Sequence, residues 1–131
     1  MAVFSAQGKA FNRTREIYLA SELAVADTHW TRLRGLLGLA EDDFRNGSGL
    51  WITPCKGVHT LGMGFAIDVV YLDAGLKVIG VRPLVRPWRF TAILPRATSV
   101  LELPCHTVDK TKTAIGDTIE ITLSKDCTQH P

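Results

Sequence analysis

The apolar residues of this chain come in short runs, and most of those runs are stopped by proline or glycine before a long helix could form. Leu50-Trp51-Ile52-Thr53 ends at Pro54, residues 66–72 end at Asp73-Ala74-Gly75, and Ser99-Val100-Leu101-Glu102-Leu103 ends at Pro104. Gly116-Asp117 turns the chain into residues 118–123, which alternate polar and apolar side chains. Runs of this length read as strands, because proline cannot donate to a sheet ladder and glycine favours turns. Residues 17–25, where Ile17, Leu19, Leu23 and Val25 are interleaved with smaller or polar residues, and residues 76–85 add two more. One segment has a different period. Asp27 or Thr28 can cap a helix in which Trp30, Leu33, Leu36 and Leu37 form one apolar stripe, with Gly38 to end it. Residues 108–114 are a candidate second short helix. The expected fold is mostly β (α+β by count): a small antiparallel barrel-like sheet of five to seven short strands with one amphipathic helix.

A chain of 131 residues is one domain in size. The expected organisation is a flexible N-terminal tail over residues 1–13, a single domain over 14–124 and a C-terminal tail over 125–131. A net charge of +2 is too small to predict a nucleic-acid or membrane-surface partner. No run approaches the roughly 20 apolar residues of a membrane span. Cys55, Cys105 and Cys127 lack the paired spacing of a zinc module or dithiol motif, which predicts reduced thiols and a cytoplasmic setting. The first ten residues do not read as a signal peptide, and export is the expectation only if a leader has been removed.

Chemistry-bearing side chains concentrate in residues 54–73. Gly57, Gly62 and Gly64 make the segment after Pro54 irregular, which suits a loop that approaches a ligand. Cys55 and His59 are four apart, and Asp68 sits inside an apolar run where a carboxylate needs a partner. Arg34 and His59 are candidate partners for it. Arg34, Cys55, His59, Thr60, Met63 and Asp68 are therefore the candidate pocket. Two nearby donors, Cys55 and His59, fall short of a zinc site unless Asp68 or the Cys105-His106 pair adds ligands, so no cofactor is expected and zinc at Cys55 and His59 is the disfavoured alternative. A thiolate–imidazole–carboxylate relay of Cys55, His59 and Asp68 fits the residue types, but nothing in the spacing is specific to it. Asp68 is more simply an anchor tying the loop to the sheet. Arg82, Arg86, Arg89 and Arg96, with Trp88 and Phe90 among them, are the one basic and aromatic cluster. Arg86, Trp88, Arg89 and Arg96 are the candidate anion contacts.

The order of these pieces resembles one family, the domain of unknown function 192. The resemblance runs from Ala26-Asp27-Thr28 through Arg32-Leu33-Arg34-Gly35-Leu36-Leu37-Gly38 and Pro54-Cys55. It continues with His59-Thr60, Met63 and Phe65-Ala66-Ile67-Asp68-Val69-Val70-Tyr71-Leu72-Asp73, and closes with Val100-Leu101-Glu102-Leu103 and Gly116-Asp117. It implies a small β-rich fold and brings no agreed activity, cofactor or catalytic residue. Gly64 stands where similar sequences often carry a basic residue, and Cys105-His106 replaces the small residues usual after that strand. The functional expectation is a non-catalytic binding or accessory module for a small, anionic ligand or a protein partner, with nucleic acid disfavoured. A metal- or thiol-dependent hydrolase using Cys55, His59 and Asp68 is the alternative.

Overall fold

A computed structural model of the protein describes residues 6–28 and 36–124. Seven strands form one sheet: β1 (Gly8–Asn12), β2 (Ile17–Ala26), β3 (Ser48–Ile52), β4 (Ile67–Leu72), β5 (Val78–Val85), β6 (Ser99–Pro104) and β7 (Ile119–Leu123). Their order is β5-β4-β6-β3-β2-β1-β7. A single short helix among the described residues, α1 (Thr107–Thr111), precedes β7. The fold is the mostly β, barrel-like sheet that the short runs predict. All neighbouring strands pair antiparallel except β2 and β3, which run parallel. A parallel pair needs a crossover rather than a hairpin, and residues 27–47 supply it. The amphipathic helix expected there, with Trp30 and Arg34, lies mostly outside the described residues. At its predicted end Leu36 is buried and Gly38 takes a φ of 89°.

The sheet curls into a half-barrel. The start of β5 meets the start of β7, where Val78 N–H donates to the Asp117 carbonyl and Ile119 N–H to that of Leu76. The curl gives β4 and β6 two buried faces, which explains why their sequences are near-continuous apolar runs. On the inner face Val70, Leu72, Leu101 and Leu103 pack with Leu19, Leu23, Val108 and Ile119. On the outer face Ile67, Val69, Tyr71 and Val100 are covered by Leu36, Phe44, Met63 and Phe65 from the connecting segments. Helix α1 touches both β2 and β5 and so spans the open side of the curl.

Two expectations need correction. Residues 8–12 are not part of a loose tail: β1 is paired on both sides, to β2 and to β7. Its sequence, Gly8-Lys9-Ala10-Phe11-Asn12, has too little apolar alternation to announce a strand, and its stability is borrowed from the two neighbours. A Cβ on Gly8 would collide with the Thr122 carbonyl, so the pairing with β7 requires glycine there. In β2 the expected alternation fails at Ile17, which is exposed. Register shifts against β1 place extra residues in β2, and each such bulge flips the side chains that follow.

Asn12 holds the closure of the half-barrel. Its Nδ2 donates to Thr113 Oγ1 at 3.1 Å and to Asp117 Oδ2 at 3.0 Å, while its Oδ1 accepts from Arg15 N–H at 3.1 Å. Burial pushes the Asp117 carboxyl up, but bonds from Arg15, Asn12 and the Ala114 amide, with the Arg15 charge, outweigh it and hold the group below its ordinary value. Asn12→Ala deletes the bonds donated to Asp117 and Thr113, which keep Arg15, the Ala114 amide and Thr111 as partners, and leaves the Arg15 N–H without its side-chain acceptor. The expected loss is about 2–3 kcal/mol in urea denaturation, and an unchanged midpoint would refute this role.

Candidate functional site

The loops at residues 54–64 and 86–96 pair with each other as an irregular ribbon on the half-barrel. Thr91 N–H donates to the Val58 carbonyl at 2.9 Å, Leu94 N–H to that of Lys56 at 3.0 Å, and Lys56 Nζ to that of Ala97 at 2.9 Å. His59 and Phe90 form a bridge, with ring centroids 6.3 Å apart. The approach is close enough that a Cβ on Gly57 would lie 2.9 Å from the Ala92 carbonyl oxygen. From beneath, Tyr71 donates its hydroxyl to that same carbonyl at 2.6 Å.

Thr60 is fully buried and is the clasp of the ribbon. Its hydroxyl donates to the Arg86 carbonyl at 2.6 Å and accepts from Arg89 N–H at 2.9 Å. Its backbone donates to the Arg89 carbonyl at 2.8 Å and accepts from Trp88 N–H at 3.0 Å. Asp68, also fully buried, works one strand away: Oδ1 accepts from Leu84 N–H at 2.9 Å and Oδ2 from Val108 N–H at 2.8 Å. These bonds fall at or beside backbone that resists its own conformation. Leu84 and Trp88 take φ of 52° and 63°, left-handed values that cost a branched or bulky L-residue about 1–2 kcal/mol each. Two buried polar side chains thus fix the course of the arginine-bearing segment 82–91.

That segment encloses a cleft of about 250 Å³ lined by Arg82, Leu84, Arg86, Arg89, Phe90 and Thr91. Among the described residues the Arg82 and Arg86 side chains make no hydrogen bond or ion pair. Arg89 turns back on its own loop, with Nη1 3.3 Å from the carbonyls of Pro87 and Trp88. Arg96 and Trp88 are exposed but do not line the cleft.

The candidate pocket residues are therefore divided by the fold. Thr60 and Asp68 act as supports under the arginine loop. Met63 is part of the outer core. Cys55 donates its thiol to the Gly57 carbonyl at 3.1 Å, and His59 Nδ1 accepts from Leu61 N–H at 3.2 Å, leaving Nε2 to carry the proton. Asp68 is bound to amides of β5 and α1 rather than to His59, and Arg34 lies outside the described residues. No three His, Cys, Asp or Glu side chains come together as a metal-holding group among the described residues.

Glu102 was not singled out by its sequence. It lies opposite Leu50 and Val69 on the outer face of β6, buried to 3% exposure, and its Oε1 has no hydrogen-bond partner. Burial raises its carboxyl to about 8. The only signal was an acid alternating with leucines, which reads as a solvent-facing position until something covers that face. Phe44, Met63 and Phe65 cover it.

Together these features define a single-domain β half-barrel whose polar chemistry is carried by a paired-loop rim. The DUF192 family model, described as Uncharacterized ACR, matches residues 10–121. The chain belongs to this family. No curated protein matches it. A Novosphingobium aromaticivorans protein of unknown function has a similar crystal structure, with a TM-score of 0.74 at 14% identity over 86% of this chain and 83% of that one. A candidate transcription regulator from Sinorhizobium meliloti is similar at a TM-score of 0.74 and 16% identity, over 92% of this chain and 98% of that one. At such identities the likeness is one of fold alone. No helix among the described residues is long and apolar enough to cross a membrane.

Proposed function

We propose that the protein is a binding module for a small anionic ligand, held at the cleft of Arg82, Arg86 and Arg89. The observation that carries this reading is the strained backbone at Leu84 and Trp88, anchored by Asp68 and Thr60, on either side of Arg86 and next to Arg82, whose guanidinium groups make no hydrogen bond or ion pair among the described residues. Strain maintained by buried hydrogen bonds is characteristic of functional loops. Guanidinium forks match carboxylate and phosphate geometry, and Phe90 beside them offers a ring face to a planar ligand. A hydrolase built on Cys55, His59 and Asp68 draws no support from this geometry, because Asp68 and His59 are hydrogen-bonded to backbone amides.

Titration with inorganic phosphate and with a small dicarboxylate, followed by calorimetry, tests the reading. Affinity is expected to fall with rising salt and to drop about tenfold or more in an Arg82→Ala/Arg86→Ala double variant. Neither probe binding at low salt would end it. A second reading rests on Leu84, Trp88, Phe90 and Ile93, exposed by 49%, 64%, 75% and 72%, which gather much of the exposed large apolar surface onto this one loop. Such a cluster fits a protein partner at the same rim.

A further inference from the structure

We propose a second ligand site, in the cleft between residues 41–46 and the start of α1, that takes a small zwitterion: a free α-amino acid with an apolar side chain. The cleft measures about 380 Å³, within the size range of small-molecule sites. Its floor is apolar, with Phe44 and Phe65 buried and their ring centroids 6.0 Å apart. Glu41 and Asp42 line it from the turn before β3, His106 from just before α1 and Lys110 from α1.

These opposite charges do not satisfy each other. Glu41, Asp42, His106 and Lys110 make no ion pair among the described residues. Arg45 lies at the same cleft but spends its Nε on the Asp42 carbonyl at 2.7 Å. A cleft whose acids and bases are not paired with one another, over an apolar floor, suits a ligand that carries both charges and a hydrocarbon group. The ammonium would meet Glu41 and Asp42, the carboxylate Lys110 with the His106 imidazole, and the side chain Phe44 and Phe65.

His106 sits at φ 77° at the start of α1, yet its side chain makes no capping bond. Its imidazole lines the cleft and makes no hydrogen bond among the described residues.

The test uses leucine and phenylalanine as probes, with N-acetylleucine and leucine amide as partners lacking one charge each. Amide shifts in NMR titration are expected at residues 41–46, 65–66 and 105–110. Each single-charge analogue should bind about tenfold or more weaker than leucine. Lys110→Ala should weaken leucine and leave leucine amide unchanged. Glu41→Ala/Asp42→Ala should weaken leucine and leave N-acetylleucine unchanged. All three positions are exposed, so the fold survives these changes. Arg86→Ala should alter none of these affinities, which separates this site from the arginine cleft. Absence of binding by both amino acids, or N-acetylleucine binding as tightly as leucine, overturns the proposal.

Discussion

At pH 7, replacing Glu102 by glutamine raises the unfolding free energy by about 3 kcal/mol, and it flattens the pH dependence of stability above pH 5. Glu102 titrates at about 8 in the folded chain, against an ordinary value of 4.5, because burial penalises its charged form. Between those values the unfolded chain has lost this proton and the folded chain still holds it. Stability therefore falls as pH rises, by about 1.4 kcal/mol per unit, until the folded group ionises as well. Glutamine carries a donor and an acceptor, as the neutral acid does, so the two proteins should be equally stable near pH 4.5. Asp117 works in the opposite direction and in a different window. Its folded value is depressed, so its contribution is present above the ordinary carboxylate range and disappears as pH falls through that lowered value. Wild type should accordingly be most stable at mildly acidic pH. Urea denaturation from pH 4 to 9 measures both arms; a wild-type curve that is level between pH 5 and 8 would refute the account of Glu102.

The second large effect is at Asp68. Its two oxygens accept from amides on β5 and α1, elements that approach the residue from different sides. Asparagine keeps one acceptor and points its amide donor at the other N–H, so one of the two hydrogen bonds is lost and a buried N–H is orphaned. About 3 kcal/mol of stability should go with them. Amide exchange should accelerate at Leu84 or Val108 ahead of the rest of the sheet. Because Leu84 is held in a strained conformation by this bond, anion affinity at Arg82 and Arg86 should weaken in parallel. A variant that melts like wild type contradicts the anchor. One that keeps full stability but loses a chemical activity would restore the catalytic alternative.

Much of the architecture was legible because proline and glycine mark its joints. Pro54, Asp73-Ala74-Gly75, Pro104 and Gly116-Asp117 delimit β3, the β4–β5 turn, β6 and the entry to β7 close to where the strands end or begin. Asp68 announced itself as a carboxylate inside an apolar run, but its partners, the Leu84 and Val108 amides, were not legible there. Strand β1 was invisible, since Gly8-Lys9-Ala10-Phe11-Asn12 has no pattern of its own and is defined by β2 and β7. The candidate pocket was only partly legible. Cys55, His59 and Asp68 are close in sequence, but β4 carries Asp68 below the ribbon toward β5 and α1.

By itself the sequence determined where strands could run, which residues could enter a core, and that residues 54–64 and 86–96 would be irregular and polar. Those are local properties, set by backbone chemistry and side-chain periodicity. Only the tertiary structure decided which faces are covered. It buried Glu102 by laying Phe44, Met63 and Phe65 over a face that alternation leaves open, and it left Arg82 and Arg86 without partners among the described residues. Burial and pairing depend on segments far apart in the chain, and no local pattern encodes which of them will meet.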